Sequence, residues 1–260
     1  MNSVNKTLYI PLYGKSYISK RNLILHDPKA EEIWAAEGFA LQGKSASKWL
    51  AYYMGMRAAV FDRWLKQRIE ETPDAVVLHL GCGMDSRVCR VNAEGIQWYD
   101  VDFPEVINAR RRYYTETADY KMLGTDVCAP EYLEQISGRN AIVVMEGISM
   151  YLQLEALSAL LTQLSRRFDR ISLLMDCYTE FAAKASKYKN PINDVGVTKV
   201  YGLDDPRTVE NGSLTFVQEH TMTPLDMINQ LEGVEKAIFS KLYAGSISKK
   251  MYRLYEFEKK

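Results

Sequence analysis

The sequence predicts an α/β fold with a doubly wound, mostly parallel sheet. Short apolar runs alternate with helix-like segments about every 20 to 30 residues between positions 75 and 176, which is typical of parallel strands joined by crossover helices. The run at 75–80 is apolar except for His79, as expected of a strand buried on both faces. It ends at a Gly81-Cys82-Gly83 turn, the place where a strand gives way to a helix in nucleotide-binding units.

The other elements follow from periodicity and from start and stop signals. Residues 1–46 are predicted to be mostly irregular: an apolar run at 8–10 should stop at Pro11, and residues 13–17 should form a turn into a helix. Asp27 should cap a second helix that begins at Pro28. A long amphipathic helix is predicted at 47–70. The predicted strands are 75–80, 96–102, 120–124, 141–145, 171–176, 214–220 and 251–258. Later helices are predicted at 85–91, 104–117, 130–136, 154–168, 180–188, 224–231 and 234–243.

Composition limits the class of protein. The 260 residues suit one large domain, and 47% of them are hydrophobic, enough for a sizeable core. Lys and Arg total 33, as do Asp and Glu, a balance that favours neither nucleic acid nor an anionic membrane as a partner. The one dense basic cluster, Arg110-Arg111-Arg112, is expected to be a solvated helix face.

Targeting signals and cysteine usage predict a cytoplasmic protein. No apolar run approaches the roughly 20 residues of a membrane helix, and the N-terminus lacks the core of a signal peptide. The four cysteines form no C-x-x-C pair, which fits reduced thiols. The three histidines lie far apart in the sequence, so we expect no zinc site.

The glycine turn and the acid that follows it indicate the kind of ligand. A dinucleotide-binding turn has a third glycine three residues after Gly83, where this sequence has Ser86, and this departure counts against a nicotinamide or flavin cofactor. Asp102 follows Gly81 by 21 residues, at the end of the second strand. An acid at that place can accept both hydroxyls of a ribose.

Two more acids, Asp126 and Glu146, follow the third and fourth strands. So much negative charge would repel a pyrophosphate but would attract a ribose-bearing ligand with a cationic centre. S-adenosylmethionine is such a ligand, since it combines an adenosine with a sulfonium, an amine and a carboxylate. We therefore expect Asp102 at its ribose, Asp126 at its adenine amino group and Glu146 at its methionine end.

Three segments in this order resemble the leucine carboxyl methyltransferase family, whose bacterial branch is often described as polyketide-tailoring O-methyltransferases. They are LGCGMDSR at 80–87, WYDVDFPEVI at 98–107 and EGISMYL at 146–152, and the D-P-K-A segment at 27–30 is similar to another family motif. The resemblance implies a class I methyltransferase with a seven-stranded sheet and an N-terminal helical lid. We expect one domain over 1–260, with the lid at 1–72, the cofactor-binding core at 73–177, and an insertion with terminal strands at 178–260.

The resemblance also implies roles for residues outside these segments. The family's arginine before the first strand binds the carboxylate of the cofactor, and Arg57 is the matching position. A lysine of the N-terminal segment assists in some members, with Lys15 as the nearer match and Lys20 as its rival. Together with the turn and the three acids, the expected cofactor-binding set is Lys15, Arg57, Gly81, Gly83, Asp102, Asp126 and Glu146.

The expected reaction is transfer of a methyl group from S-adenosylmethionine to a carboxylate or hydroxyl oxygen of a small molecule. A carboxylate, with a pKa near 4, would need no base, whereas a hydroxyl would profit from one. None of the three histidines stands out as that base, and His79 is expected to be a core residue. Tyr151, just after the fourth strand, is expected to line the acceptor pocket or to pack, and no catalytic residue is assigned.

Two other classes of protein remain open from the sequence. One is a module that binds S-adenosylmethionine without turnover, and the other is a nicotinamide-dependent oxidoreductase on a similar sheet. Titration with S-adenosylhomocysteine and with NAD would separate the oxidoreductase from the methyltransferase.

Overall fold

A computed structural model of the chain describes residues 8–38, 41, 43–91, 94–189 and 199–260. Its strands, in chain order, are β1 Val76–Leu80, β2 Trp98–Asp102, β3 Tyr120–Gly124, β4 Asn140–Met145, β5 Arg170–Tyr178, β6 Thr215–His220 and β7 Tyr252–Lys259. They form one seven-stranded sheet in the order β3-β2-β1-β4-β5-β7-β6. The predicted seven-stranded α/β architecture is therefore confirmed.

The first five strands are parallel, and β7 runs antiparallel between β5 and β6. The chain order reverses at β1, which pairs with β2 on one edge and with β4 on the other. Every residue of β1 is buried, which explains its nearly continuous apolar sequence. In such sheets ligands bind at the carboxyl ends of the strands, beside the point of reversal.

Helices cover both faces of the sheet. They are α1 Tyr9–Ser19, α2 Pro28–Glu37, α3 Lys48–Glu71, α4 Arg87–Val91, α5 Pro104–Arg110, α6 Leu154–Arg167, α7 Glu180–Lys189, α8 Leu225–Ile228, α9 Gly233–Leu242 and α10 Gly245–Met251. Short 3₁₀ turns lie at Gly43–Ala46, Pro130–Gln135, Ser149–Tyr151 and Pro206–Val209. Asp27 caps α2 by accepting a bond from the Ala30 amide, as predicted.

Alternate strand residues enter two separate cores, because side chains of a strand point to opposite faces. On one face, Val77 and Ile142 pack with residues of α1, α2 and α3. On the other face, Leu78 and Val143 pack against the apolar side of α6. The N-terminal helices thus lie on one face only, against the central strands.

Helix α1 corrects the sequence prediction for residues 8–19. Pro11 does not stop an apolar run but lies in the first turn of this helix. A proline is tolerated there because the first amides of a helix have no intrahelical acceptor. As a consequence, Lys15 lies inside a regular helix and not in the predicted turn that leads into one.

Three other elements differ from the predictions at their ends or in type. Helix α5 ends at Arg110 and not near 117, because the amides of Arg112 and Tyr113 bond three residues back and tighten the last turn. The segment Pro130–Gln135 is a 3₁₀ helix. Helix α10 was not predicted at all, because its apolar residues are too few to form a stripe.

The expected solvated face at 110–112 is wrong for its first residue. Arg110 is fully buried and forms an ion pair with the buried Asp100 of β2. Its Nη1 also donates to the carbonyls of Gly83 and Asp85, at 3.1 and 2.6 Å. Arg110 therefore stabilises the glycine turn from its buried side.

In the part of the chain described, we find no helix with the length and apolarity that a membrane span requires.

Candidate functional site

A cavity of about 790 Å³ opens at the carboxyl ends of the parallel strands. The turns after β1, β2, β3 and β4 form one wall, and the helical segments α1, α3 and α10 form the other. All seven residues predicted to bind the cofactor line this cavity: Lys15, Arg57, Gly81, Gly83, Asp102, Asp126 and Glu146. Tyr151 lines it too, whereas Lys20, the rival of Lys15, is on the surface.

The glycines of the turn are required for two different reasons. Gly81 and Gly83 both have positive φ values, 66° and 52°, which side chains other than glycine rarely adopt. A Cβ on Gly81 would also lie 2.0 Å from Cγ2 of Ile148. A Cβ on Gly83 would meet only ordinary contact, 3.5 Å from Leu8. Gly81 thus makes room for a protein side chain, and Gly83 serves the backbone conformation.

Asp102 is held beside the turn by two backbone amides. Gly83 N donates to Oδ2 and Phe103 N donates to Oδ1, each at 2.7 Å. Burial raises the pKa of Asp102, and these two bonds oppose the rise. A carboxylate offers about four acceptor positions, so that two remain for a pair of neighbouring hydroxyls.

Asp126 lies one strand further on and is exposed at the cavity rim. Its Oδ1 accepts a bond from the Cys128 amide at 2.9 Å. This bond fixes the side chain at the start of the loop after β3. The carboxylate faces the part of the cavity that adjoins the Asp102 end, since β2 and β3 are neighbours in the sheet.

Arg57 is buried on α3 between two carboxylates. Its Nε donates to Glu146 Oε1 at 2.9 Å, and its Nη1 donates to Asp176 Oδ2 at 2.8 Å. Burial would lower the pKa of Arg57, but the two carboxylates raise it above the usual arginine value. The side chain packs against Gly147, where a Cβ would lie 3.5 Å from Nη2. A glycine after Glu146 therefore leaves this edge of the guanidinium uncovered.

Glu146 has a second arginine partner, Arg87 on α4. Burial would raise the pKa of Glu146, but Arg57 and Arg87 lower it to about 2. Asp85 likewise pairs with a cation of the cavity: its Oδ2 accepts a hydrogen bond from Nζ of Lys15, on α1, at 2.9 Å. Each predicted cation is thus paired with an acid at the cavity wall.

These pairs belong to one continuous ionic network. Among the described residues it contains four cations and five carboxylates: Lys15, Arg57, Arg87, Arg90, Asp27, Asp62, Asp85, Glu146 and Asp176. The excess carboxylate gives this network a net negative charge. A network of this sign beside the cavity complements a cationic ligand.

Sequence reasoning missed Asp176, Asp85 and Arg87 as parts of this network. Asp176 is the last residue of the predicted strand 171–176, so that it carried the same signal as the three predicted acids. Its carboxylate also accepts from Gly147 N at 2.6 Å, and burial raises its pKa. Arg87 has no such signal, because an arginine at the start of a short helix usually lies on the surface.

The three histidines occupy different surroundings. His79 lines the cavity floor, as a buried residue whose Nε2 accepts from Arg87 Nη1 at 3.0 Å and whose Nδ1 lies 3.2 Å from Asp100 Oδ1. His26 is exposed. His220 is bonded to Glu256 on the outer strands, at 2.6 Å. The expectation of a core histidine at 79 is confirmed.

The remaining part of the cavity is mainly aromatic, and we call it the acceptor chamber. Its residues come from α3, the turn after β4, the end of β5, and the segment that leads through α10 into β7: Trp49, Tyr53, Tyr151, Tyr178, Tyr243, Ser248 and Tyr252. Trp49 and Tyr243 are stacked, with ring centroids 5.6 Å apart and planes inclined by 13°. The chamber therefore combines flat apolar surfaces with a few hydroxyls.

Known proteins give the family of the chain. The family model of leucine carboxyl methyltransferase matches residues 13–165. The tetracenomycin polyketide synthesis O-methyltransferase TcmP of Streptomyces glaucescens is 29% identical over 242 residues, which are 91% of this chain and 89% of that protein. An S-adenosyl-L-methionine-dependent methyltransferase of Gibberella zeae is 25% identical over 234 residues, 81% of this chain and 78% of that protein.

The fold is also similar to that of solved methyltransferases. The magnesium protoporphyrin IX methyltransferase of Synechocystis PCC 6803, with bound S-adenosylhomocysteine, superposes with a TM-score of 0.54 at 12% identity, over 88% of this chain and 93% of that one. The alternatives of an oxidoreductase and of a non-catalytic module find no support among these relatives. This chain belongs to the leucine carboxyl methyltransferase family and is an S-adenosylmethionine-dependent O-methyltransferase.

Proposed function

We propose that this O-methyltransferase converts the carboxylate of a small, largely apolar acid into its methyl ester. One observation carries the proposal: over the described ranges, the acceptor chamber offers hydroxyl donors beside Arg57 but no group set up to remove a proton. A carboxylic acid is already ionised at neutral pH and requires no base. An alcohol or phenol would have to lose its proton during the reaction.

Three titratable groups that line the cavity, His79, Glu146 and Tyr53, are unsuited to remove a proton. His79 receives a bond from Arg87 at one ring nitrogen and faces an aspartate with the other. Glu146 has a pKa of about 2, because its arginine neighbours outweigh the effect of burial. Burial raises the pKa of Tyr53, so that its hydroxyl stays protonated and acts as a donor.

We propose that the seven residues around the cofactor half of the cavity bind different parts of the ligand. Asp102 would accept the ribose hydroxyls with its two unused acceptor positions, and Asp126 would accept from the adenine amino group. Arg57, whose Nη2 takes part in neither of its carboxylate bonds, would bind the ligand carboxylate together with Lys15. Glu146 would face the amine. Gly81 and Gly83 would form the turn under the ligand.

S-adenosylmethionine, when bound, supplies a methyl group on a positively charged sulfur. The task of the protein is then to hold the acceptor oxygen in line with that methyl and about 3 Å from it. The net negative ionic network favours the cationic form of the ligand over its neutral product. The aromatic walls keep water from the acceptor oxygen, which strengthens it as a nucleophile.

A small apolar acceptor is supported by the flat aromatic surfaces of the chamber and by the polyketide acceptor that the name of the Streptomyces relative implies. We propose that residues 1–72 form the lid over this chamber, that 73–177 form the cofactor core, and that 178–260 complete the acceptor side. A cytoplasmic location is supported by the four cysteines, which are all free thiols.

The chemical bond in the product tests the proposal directly. The protein is incubated with S-adenosylmethionine carrying a tritiated methyl group and with the small-molecule fraction of cell extracts. Methyl esters release volatile methanol in dilute alkali, whereas methyl ethers are stable. We expect the transferred label to become volatile after alkali treatment. Label that remains fixed to the acceptor would show an ether and would overturn the carboxylate assignment.

A further inference from the structure

Two hydroxyls from different helices meet in the acceptor chamber. Tyr53 lies on α3 and Ser248 lies on α10, and their oxygens are 2.7 Å apart. Both side chains line the cavity and are almost fully buried, with exposed fractions of 8% and 4%. They join a helix before the sheet to a helix between its last two strands.

The pair has one hydrogen more than it uses. Two hydroxyls carry two hydrogens, and a single bond between them uses one, whichever oxygen donates. Within the described ranges, neither hydroxyl has another hydrogen-bond partner. One O–H group of the pair is thus left for a third group, in a position from which water is largely excluded. A buried donor without a partner is costly, so that this position favours a ligand acceptor.

The surroundings hold the pair in place. The Tyr53 ring packs against Tyr252, with centroids 5.7 Å apart, and Tyr252 packs edge-on against Tyr178 at 4.6 Å. Tyr53 also precedes Arg57 by one helical turn, so that both point to the same side of α3. Arg57 lowers the pKa of the Tyr53 hydroxyl and Asp176 raises it, but burial has the largest effect and keeps the hydroxyl protonated.

We infer that the Tyr53–Ser248 pair binds the reacting carboxylate of the acceptor through this free hydrogen and so orients it for methyl transfer. The inference rests on the proposed function, because it takes the acceptor to be a carboxylate. A hydroxyl bond to an ionised oxygen is about twice as strong as a bond between neutral groups. The pair would thus select the ionised acceptor and fix its oxygen, while the cofactor is bound elsewhere in the cavity.

The test uses the full chain saturated with S-adenosylhomocysteine and two fluorescent probes. 2-Naphthoate has an aromatic ring and a carboxylate, and naphthalene has the ring alone. Either single variant keeps one hydroxyl whose hydrogen is free, so the decisive protein is the double variant Tyr53→Phe/Ser248→Ala. We expect it to weaken 2-naphthoate binding about tenfold and to leave the affinities for naphthalene and S-adenosylhomocysteine within about twofold of wild type. Tyr53→Phe and Ser248→Ala alone should each weaken 2-naphthoate binding less than the double variant.

A second tyrosine–serine pair provides a matched control. Tyr99 and Ser137 have hydroxyl oxygens 2.9 Å apart, and neither residue lines the cavity. Tyr99→Phe removes the same type of bond and should leave both probe affinities unchanged.

Three results would overturn the inference. They are a wild-type protein that binds naphthalene as tightly as 2-naphthoate, a Tyr53→Phe/Ser248→Ala variant with wild-type affinity for 2-naphthoate, and an equal loss of affinity for both probes in that variant, which would indicate packing alone. Each of these can occur while the alkali test still finds an ester. An ether in the alkali test would instead overturn the proposed function itself, whatever the probes show.

Discussion

Arg57 contributes to the stability of the fold in addition to its proposed role in ligand binding. It is the counter-charge of two buried carboxylates, Glu146 and Asp176. Loss of one partner from a buried ion pair costs about 3–5 kcal/mol, because the other charge remains unpaired away from water. We therefore expect Arg57→Ala to lower the free energy of unfolding by about 3–5 kcal/mol in urea denaturation, in addition to weakening S-adenosylhomocysteine binding.

Arg63 on the same helix gives the comparison for this experiment. Its ion pair with Asp226 is more than half exposed on both sides, and such surface pairs contribute about 0–1 kcal/mol. Arg63→Ala should thus leave the urea midpoint almost unchanged. Equal midpoints for both variants would mean that Arg57 is not the counter-charge that its contacts indicate.

Asp102 offers a cleaner test of ligand binding, since its protein partners are two backbone amides. Without the carboxylate, the two ribose hydroxyls would each lose a charge-assisted hydrogen bond that contributes about 1.5–3 kcal/mol. We expect Asp102→Ala to weaken S-adenosylhomocysteine binding at least about 100-fold in calorimetric titration. Asp169→Ala, at an exposed surface pair, is the control. An affinity within threefold of wild type would place the ribose elsewhere.

The position of a side chain at the cavity could be predicted where it follows a strand end, but not where its burial depends on distant partners. Asp102 and Glu146 lie at the cavity as predicted, because strand ends converge on one edge of a parallel sheet. The burial of Arg87 and Arg110 could not be predicted, because the acids that neutralise them, Glu146 and Asp100, lie on other elements. An isolated sequence position shows the charge of a residue but not its counter-charge.

At the scale of elements, the turn between β1 and α4 is constrained on one side by Ile148. A Cβ at Gly81 would face both a positive φ and a contact of 2.0 Å with this side chain. We expect Gly81→Ala to destabilise the protein by about 2–4 kcal/mol, from backbone strain and overpacking together. Gly83→Ala has the strain alone and should cost about 1–2 kcal/mol. Thermal unfolding measures both values.

A double substitution separates the two contributions at Gly81. Ile148→Ala removes Cγ2 and Cδ1, which would lie 2.0 and 3.3 Å from a Cβ on Gly81, and leaves its own Cβ at 3.1 Å. In this background Gly81→Ala should therefore cost less than in the wild type and approach the cost of Gly83→Ala. Full destabilisation in the double variant would show that the backbone conformation alone accounts for the glycine.

The elements that could be predicted are those with a strong period or a cap. The strands of the sheet, the long helix α3 and the Asp27 cap follow from local sequence. The start of helix α1 is predicted too late in the sequence, because a proline at its third residue resembles a stop signal. Helix α10 has a weak apolar pattern, and its place is fixed by contacts with the rest of the chamber, such as the bond from Ser248 to Tyr53.

At the scale of the whole molecule, the buried acids predict how stability depends on pH. Arginine partners lower the pKa of Glu146 to about 2, and the partners of Glu256 have the same effect on it, although burial opposes both shifts. A folded pKa below the unfolded value gives stability that is present above about pH 4.5 and is lost as the pH falls toward 2. Asp176, whose pKa is raised by burial, offsets part of this change.

We accordingly expect the melting temperature to be nearly constant from pH 7 to pH 5 and to fall steeply below, as followed by circular dichroism. The slope should be smaller in Glu146→Gln, in which one of the shifted carboxylates is absent. A wild-type melting temperature that does not change down to pH 3 would contradict the ion pairs as described.

The pH dependence of the methyl-transfer rate reports the protonation state of the whole site. An acceptor acid with a pKa near 4 stays ionised from pH 6 to pH 9, and no described residue of the chamber is proposed to exchange a proton. Initial rates of ester formation should therefore vary less than about threefold over this interval. A tenfold rise with each pH unit would reveal a proton that has to be removed before transfer.

The strand order also bears on the time at which each part of the site can form during synthesis. Strand β5 ends at Tyr178, but its outer edge pairs with β7, which begins at Tyr252. A nascent chain therefore presents the unpaired backbone of β5 until about 70 more residues have followed, which is the kind of edge that attracts other chains. The cofactor half of the cavity can form on the growing chain, whereas the acceptor half cannot form until β7 has been synthesised. We expect the ribosome-bound chain to be most prone to aggregation in that interval.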